Sequence, residues 1–235
     1  MSSPPDPASI RSLLLDVEGA TTPISFVYEV LFPFARRRLE SFLREHGEEE
    51  PVAADLRALE KLRAAEGAAA AQSLAEFARR LMDQDRKDTP LKSLQGKIWE
   101  QGYRRGELRG QVFPDVPRAF RRWRAQGRDI SIFSSGSVLA QKLLFEHSEA
   151  GDLTPFLRAY FDTATGPKRD PASYRRIASS LERQPAEILF VSDVLEELDP
   201  ARAAGLHTLL AVRPGNRPVS QPHHATIISF DELFA

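Results

Sequence analysis

Ile10-Arg11-Ser12-Leu13-Leu14-Leu15-Asp16-Val17-Glu18-Gly19 opens on a short apolar run, Ile10 to Leu15, that ends at the carboxylate of Asp16. A brief apolar run closed by a breaker reads as a strand buried in a parallel sheet. Gly19 and Pro23 end it. After Pro114 the rhythm repeats as strand then helix. Strands are expected over 129–133, 159–161, 187–191 and 206–212, and helices over 116–125, 138–145, 172–181 and 196–204. Such alternation predicts an α/β fold, a parallel sheet covered by helices on both faces. Asp16, Ser134 and Asp193 each follow an expected strand directly. Ligands of open α/β sheets bind beyond the carboxyl ends of the strands, so these distant residues are expected to meet on one rim.

Between Ile24 and Glu107 the spacing is helical instead. Phe26, Val30, Leu31 and Phe34 recur at three- and four-residue steps, and Leu39, Phe42 and Leu43 continue that face. Thr89-Pro90 reads as a helix start, with Leu91, Leu94, Ile98 and Trp99 as the stripe that follows. The Ala-rich stretch 64–71 fits a helix better than disorder. The division expected is a core of residues 1–22 and 110–235 with an all-helical insert over 23–109. Residues 1–9, rich in Ser and Pro, are expected to fray.

Composition narrows the function. Lys plus Arg number 32 against 33 Asp plus Glu, a net charge of -1, which argues against a nucleic-acid or anionic-membrane surface. Cysteine is absent, which excludes disulfides, thiol catalysis and Cys-ligated zinc and fits a cytoplasmic protein. No signal peptide or membrane span is expected. His46, His147, His207, His223 and His224 show no metal-ligand spacing within a helix, and His223-His224 in its Pro-flanked loop is expected at the surface.

Four clusters carry chemistry. In Asp16-Val17-Glu18-Gly19, Asp16 suits in-line attack on phosphorus to form an aspartyl phosphate. Glu18 is spaced to protonate the leaving oxygen and later activate water, and Gly19 permits a sharp turn beside a phosphate. Alone, so short a pattern is better explained as a polar turn. Ser134-Ser135-Gly136-Ser137 offers hydroxyls and N–H groups at a helix mouth, suited to phosphate or substrate; Ser137 equally suits a helix N-cap. Lys168, after Gly166-Pro167, suits charge neutralisation between Asp16 and a phosphate, although an exposed lysine is the commoner case. Asp193 joins Asp16 as a hard oxygen ligand for Mg²⁺, with Glu197 to ligate through water or orient it; an N-cap and a solvated helix residue are the plainer alternatives.

All four in order resemble the haloacid dehalogenase superfamily of phosphohydrolases. LLLDVEGATTPISFVYEVLFPFAR, LKSLQGKIWEQGYRRGEL, SSGSVLAQKLLF, GPKRDPASYRRIA, ILFVSDVLEELDPARAAGL and VRPGN resemble, more narrowly, its enolase-phosphatase family of methionine salvage. That resemblance implies a Rossmannoid core with an inserted helical cap. It implies Asp16 as nucleophile, Asp16, Glu18 and Asp193 at Mg²⁺, and Ser134, Ser135, Gly136 and Lys168 at the substrate. It implies one small phosphorylated diketone, 2,3-diketo-5-methylthiopentyl-1-phosphate, taken through an enol to 1,2-dihydroxy-3-keto-5-methylthiopentene and phosphate. A monomer without nucleic-acid or membrane partners is expected. Ala20 departs from the Thr usual in the family, and Thr21 and Thr22 are expected to compensate in part. Glu18 is the candidate enolisation base; Gln95, Lys97, Trp99 and Glu107 are candidates to hold the methylthio end, although Trp99 on an apolar stripe also suits a core. A sugar-phosphate phosphatase without the enolase step and a non-catalytic binding module are the competing functions.

Overall fold

The computed structural model describes residues 6–67, 73–219 and 222–234. The expected fraying at the N-terminus and the helical reading of 64–71 therefore fall partly outside the described residues. The chain forms two compact units, Met1–Phe26 with Arg109–Ala235, and Val27–Leu108.

The first unit is built on a six-stranded parallel sheet. Its strands are β1 (Ser12–Leu15), β2 (Asp129–Phe133), β3 (Ala159–Phe161), β4 (Ile188–Ser192), β5 (His207–Ala211) and β6 (Thr226–Ile227), in the order β3-β2-β1-β4-β5-β6. All four residues of β1 are buried, as a continuous Leu run between two partners requires. Leu15 lies opposite Ile132 of β2 and Val191 of β4, so the residues after all three strands leave at the same edge. β6 was not anticipated: it has two residues, one of them exposed, too few to show a period.

Helices α5 (Val116–Ala125), α6 (Val138–Glu146), α7 (Pro171–Ser180) and α8 (Leu195–Ala203) flank the sheet. Ser137 caps α6 by accepting from the Ala140 N–H, and Asp170 caps α7, which opens on Pro171. Leu14, Phe133, Tyr174, Ile177, Phe190 and Leu198 belong to one buried cluster. Phe120, Trp123, Phe145 and Phe230 form a chain of ring contacts elsewhere in the core. Asp115, just before α5, is buried and accepts from Arg213 Nη1 at 2.7 Å, Ser229 Oγ at 3.1 Å and the Phe230 N–H at 2.5 Å. Removing one member of a buried pair leaves the other charge uncompensated. Asp115→Ala is therefore expected to cost about 3–5 kcal/mol of stability, read by urea unfolding.

Among its described residues the second unit has four helices, α1 (Phe32–His46), α2 (Glu50–Ala65), α3 (Leu74–Asp83) and α4 (Thr89–Arg104), preceded by a π-helical turn at Phe26–Leu31. α4 begins at Thr89 with Pro90 in its first turn. Ser73 and Glu76 form a capping box on α3. Trp99 is buried and donates through Nε1 to the Leu31 carbonyl at 2.8 Å, a core role. Lys97 pairs with Asp55, and Glu107 with Arg38. Among the described residues, no helix is long and apolar enough to cross a membrane.

Candidate active site

The rim beyond β1 and β4 holds a buried charged cluster. Asp16 is 5% exposed and stands one residue past β1, its N–H donating to the Val191 carbonyl of β4. Its Oδ1 accepts from Lys168 Nζ at 2.7 Å and from the Val17 N–H at 2.8 Å. Its Oδ2 lies 3.1 Å from Ser192 Oγ. These donors fix the orientation of the carboxylate.

Lys168 is buried, and its Nζ also lies 2.5 Å from Glu197 Oε2. Burial pulls its pKa down, but the charges of Asp16 and Glu197 outweigh that and hold it above the ordinary lysine range. The rings of Phe133 and Phe190 lie 5.7 and 6.0 Å from Nζ. Tyr174, fully buried on α7, places its hydroxyl 2.7 Å from the Lys168 carbonyl and 2.9 Å from that of Glu197, tying the lysine loop to α8. Lys168 is thus not the exposed lysine of the plainer alternative.

Glu197 is not a solvated helix residue either. Its side chain is 14% exposed and its contacts are Lys168 and Ser192 Oγ, the latter at 3.0 Å. The Ser192 hydroxyl has one proton for two carboxylates, so it satisfies Asp16 or Glu197 at one time. Asp193 does not cap α8, whose N-cap is Val194. Burial, then the charges of Asp16 and Glu197, push Asp193 up to about 7 despite Lys168. Burial and Asp16 push Glu197 the same way. Three acids thus share one ammonium, a surplus of negative charge that suits a divalent cation.

Glu18 is half-buried on the turn after Asp16. Gly19 takes φ +72°, and a Cβ there would overlap the Asp193 carboxylate, so the turn and Asp193 are in close contact. Ala20 is fully buried; next to it the Thr21 hydroxyl lies 3.1 Å from the carbonyls of Asp16 and Val17, bracing the turn. Ser134 is buried one strand over, beyond β2, and its Oγ accepts from the Gly136 N–H at 3.0 Å, so that amide already has a partner. Ser135 and Gly136 are half-buried beside it.

Sequence reasoning missed Ser192 and Tyr174 as supports of this cluster. It also misplaced His224, whose side chain is 1% exposed and whose Nε2 lies 2.9 Å from Asp199 Oδ1. The ligand atoms of Asp199, His223 and His224 lie within 4.8 Å of one another, the one such group among the described residues. The Asp199 oxygen, however, also takes Arg202 at 3.0 Å, and that guanidinium opposes a second cation.

The profile of the haloacid dehalogenase-like hydrolases matches residues 10–205. A protein of Synechococcus elongatus named enolase-phosphatase E1 is 54% identical, the match covering 97% of this chain and 100% of that one. The chain belongs to the enolase-phosphatase E1 family of haloacid dehalogenase-like hydrolases. A second member of the enolase-phosphatase E1 family, from Pseudomonas aeruginosa, is 48% identical over 96% of this chain and 98% of its own. The crystal structure of UTR4 protein from Saccharomyces cerevisiae is similar, with a TM-score of 0.79 and 32% identity over 95% of this chain and 100% of that one.

Proposed function

We propose that this protein is an enolase-phosphatase of methionine salvage. It converts 2,3-diketo-5-methylthiopentyl-1-phosphate to 1,2-dihydroxy-3-keto-5-methylthiopentene and phosphate. The observation that carries the phosphatase half is the Asp16 carboxylate, buried at a strand end with Lys168 Nζ at 2.7 Å and Asp193 beside the following turn. Family membership supports the enolase half.

In this mechanism Glu18 takes a proton from the carbon chain to give the enol. Asp16 then attacks phosphorus, the phosphorus–oxygen bond to the enol breaks, and Glu18 returns a proton to the leaving oxygen. Water, deprotonated by Glu18, attacks the aspartyl phosphate and frees Asp16. Lys168 offsets charge on the phosphoryl oxygens, and Ser134, Ser135 and Gly136 orient them. Asp16 and Asp193 would hold Mg²⁺ through their carboxylates and Glu18 through its backbone carbonyl, which leaves the Glu18 carboxylate free for proton transfer; the ion, when bound, supplies polarisation of substrate oxygens. The helical segment 23–109 serves as the cap. The protein acts as a cytoplasmic monomer on this one small substrate; its near-zero net charge supports the absence of nucleic-acid and membrane partners.

Phosphate release followed in parallel with the ultraviolet spectrum of the diketone tests the function. Phosphate with enol formation is expected; phosphate without it makes the protein a plain sugar-phosphate phosphatase, and neither makes it a binding module.

Turnover should stop with EDTA and return with Mg²⁺. The pH dependence is specific. Asp193 is raised to about 7 in the folded protein, against roughly 4 when unfolded. In metal-free protein its contribution to stability is present below roughly pH 4 and lost as pH rises through about 7. Mg²⁺ needs the ionised carboxylate, so its gain in unfolding temperature should be larger at pH 8 than at pH 6. An equal gain at both would remove Asp193 from the ion's ligands.

A further inference from the structure

The turn after Asp16 extends beyond the sheet, and its carbonyls need partners that the strands do not supply. Some are internal: the Gly19 N–H takes the Thr22 carbonyl, and the Thr21 and Thr22 N–H groups take that of Val17. The carbonyls of Gly19 and Ala20 are taken from outside, by two side chains of the segment after β5. Asn216 Nδ2 donates to the Gly19 carbonyl at 2.9 Å and to the Ala211 carbonyl at the end of β5 at 3.1 Å. Arg213 Nε donates to the Ala20 carbonyl at 3.2 Å. β4 lies between β1 and β5, so these side chains reach past one strand to hold the turn.

The anchor is rigid. Arg213 is 5% exposed, its Nη1 is held by Asp115 at 2.7 Å and the Ile228 carbonyl at 3.0 Å, and its guanidinium lies over the rings of Phe113 and Phe230 at 4.8 and 4.4 Å. The Ala20 peptide is thus fixed to a buried ion pair, and the Gly19 peptide to Asn216, whose own N–H donates to the Arg213 carbonyl. On the same turn hangs Glu18, and against Gly19 rests the Asp193 carboxylate. A turn whose carbonyls were shared with water would leave both carboxylates more freedom. Proton transfer and charge neutralisation tolerate little, since a displacement of about 1 Å can cost roughly 100-fold in rate.

We infer that Asn216 and Arg213 are positioning residues of the reaction, holding the Gly19–Ala20 peptides so that Glu18 and Asp193 face the reacting phosphoryl group. This rests on the roles proposed above for Glu18 and Asp193. The contact uses the backbone carbonyl of residue 20 and so is compatible with alanine there.

The test measures kcat and KM for phosphate release from the diketone phosphate with Mg²⁺, with thermal unfolding of each variant. Asn216→Ala should lower kcat about 10- to 100-fold while KM stays within about 3-fold. Asn216→Asp, of the same shape but with oxygen in place of the donor, should lose at least as much. Arg213→Lys keeps a charge for Asp115 and drops the Nε contact, and should show the same split. Because Arg213 variants risk misfolding, the Asn216 pair decides. Wild-type kcat in both Asn216 variants, or losses matching the unfolded fraction, overturns the inference. Asp16→Asn serves as reference. If it is inactive while the Asn216 variants are normal, the inference fails and the site stands; if it turns over, the site itself is wrong.

Discussion

Asp16→Asn is expected to abolish phosphate release, with a loss on the order of 10⁴-fold or more in kcat, typical of removing a group at the centre of covalent catalysis. The amide is nearly the same size, so burial and the strand end are preserved. What changes is chemistry and charge. The amide oxygen is a poor nucleophile, and the amide nitrogen offers hydrogens where Asp16 now accepts from Val17 and Lys168 on one oxygen and faces Ser192 on the other. The variant should still fold, so substrate binding by equilibrium dialysis separates lost chemistry from lost structure. Turnover near that of the wild type would show that another group attacks phosphorus.

Lys168→Met has the second largest expected effect. Methionine fills much of the same buried volume but leaves Asp16 and Glu197, now 2.7 and 2.5 Å from Nζ, with no cation between them. A loss of about 10²–10³-fold in kcat is expected, as for other groups that stabilise transition-state charge. Stability should change with a defined sign. Lys168 is held above its ordinary range, so its contribution is complete at neutral pH and fades only in strong alkali. Its removal raises the cost of ionising Glu197, which burial and then Asp16 already push upward. The variant should therefore be destabilised more at pH 8 than at pH 6, where protonation relieves the repulsion. Thermal unfolding across that range checks it, and a larger deficit at pH 6 would contradict the charge balance described.

Much of the fold was legible because it rests on local signals. The Leu13-Leu14-Leu15 run reads as a buried strand and is one, and β2 and β4 end where Ser134 and Asp193 predicted a rim. The start of α4 at Thr89 and the Ser137 cap followed from residue chemistry alone. β6 left no trace because two residues show no alternation. The site was legible where a residue carries its meaning in its own type, as Asp16 does at a strand end. It was obscure where meaning comes from contact across the fold. Ser192 reaches Asp16 across 176 positions, and Asn216 reaches Gly19 across 197; no window of sequence shows either. Glu197 read equally well as a solvated helix residue or as a support for Asp193, and only the arrival of Lys168 beside it shows that it faces inward. His224 sat in a Pro-flanked loop that suggested solvent, but Asp199 and Thr208 draw it into the core.

The claim that Asp16 carries the phosphoryl group is tested most directly by acid quenching during steady-state turnover, followed by peptide mass spectrometry. One phosphoryl group on the peptide containing Asp16, absent from Asp16→Asn and chased by excess unlabelled substrate, is the predicted result. Turnover with that peptide unmodified at every quench time, or with the phosphoryl group on another residue, would contradict it.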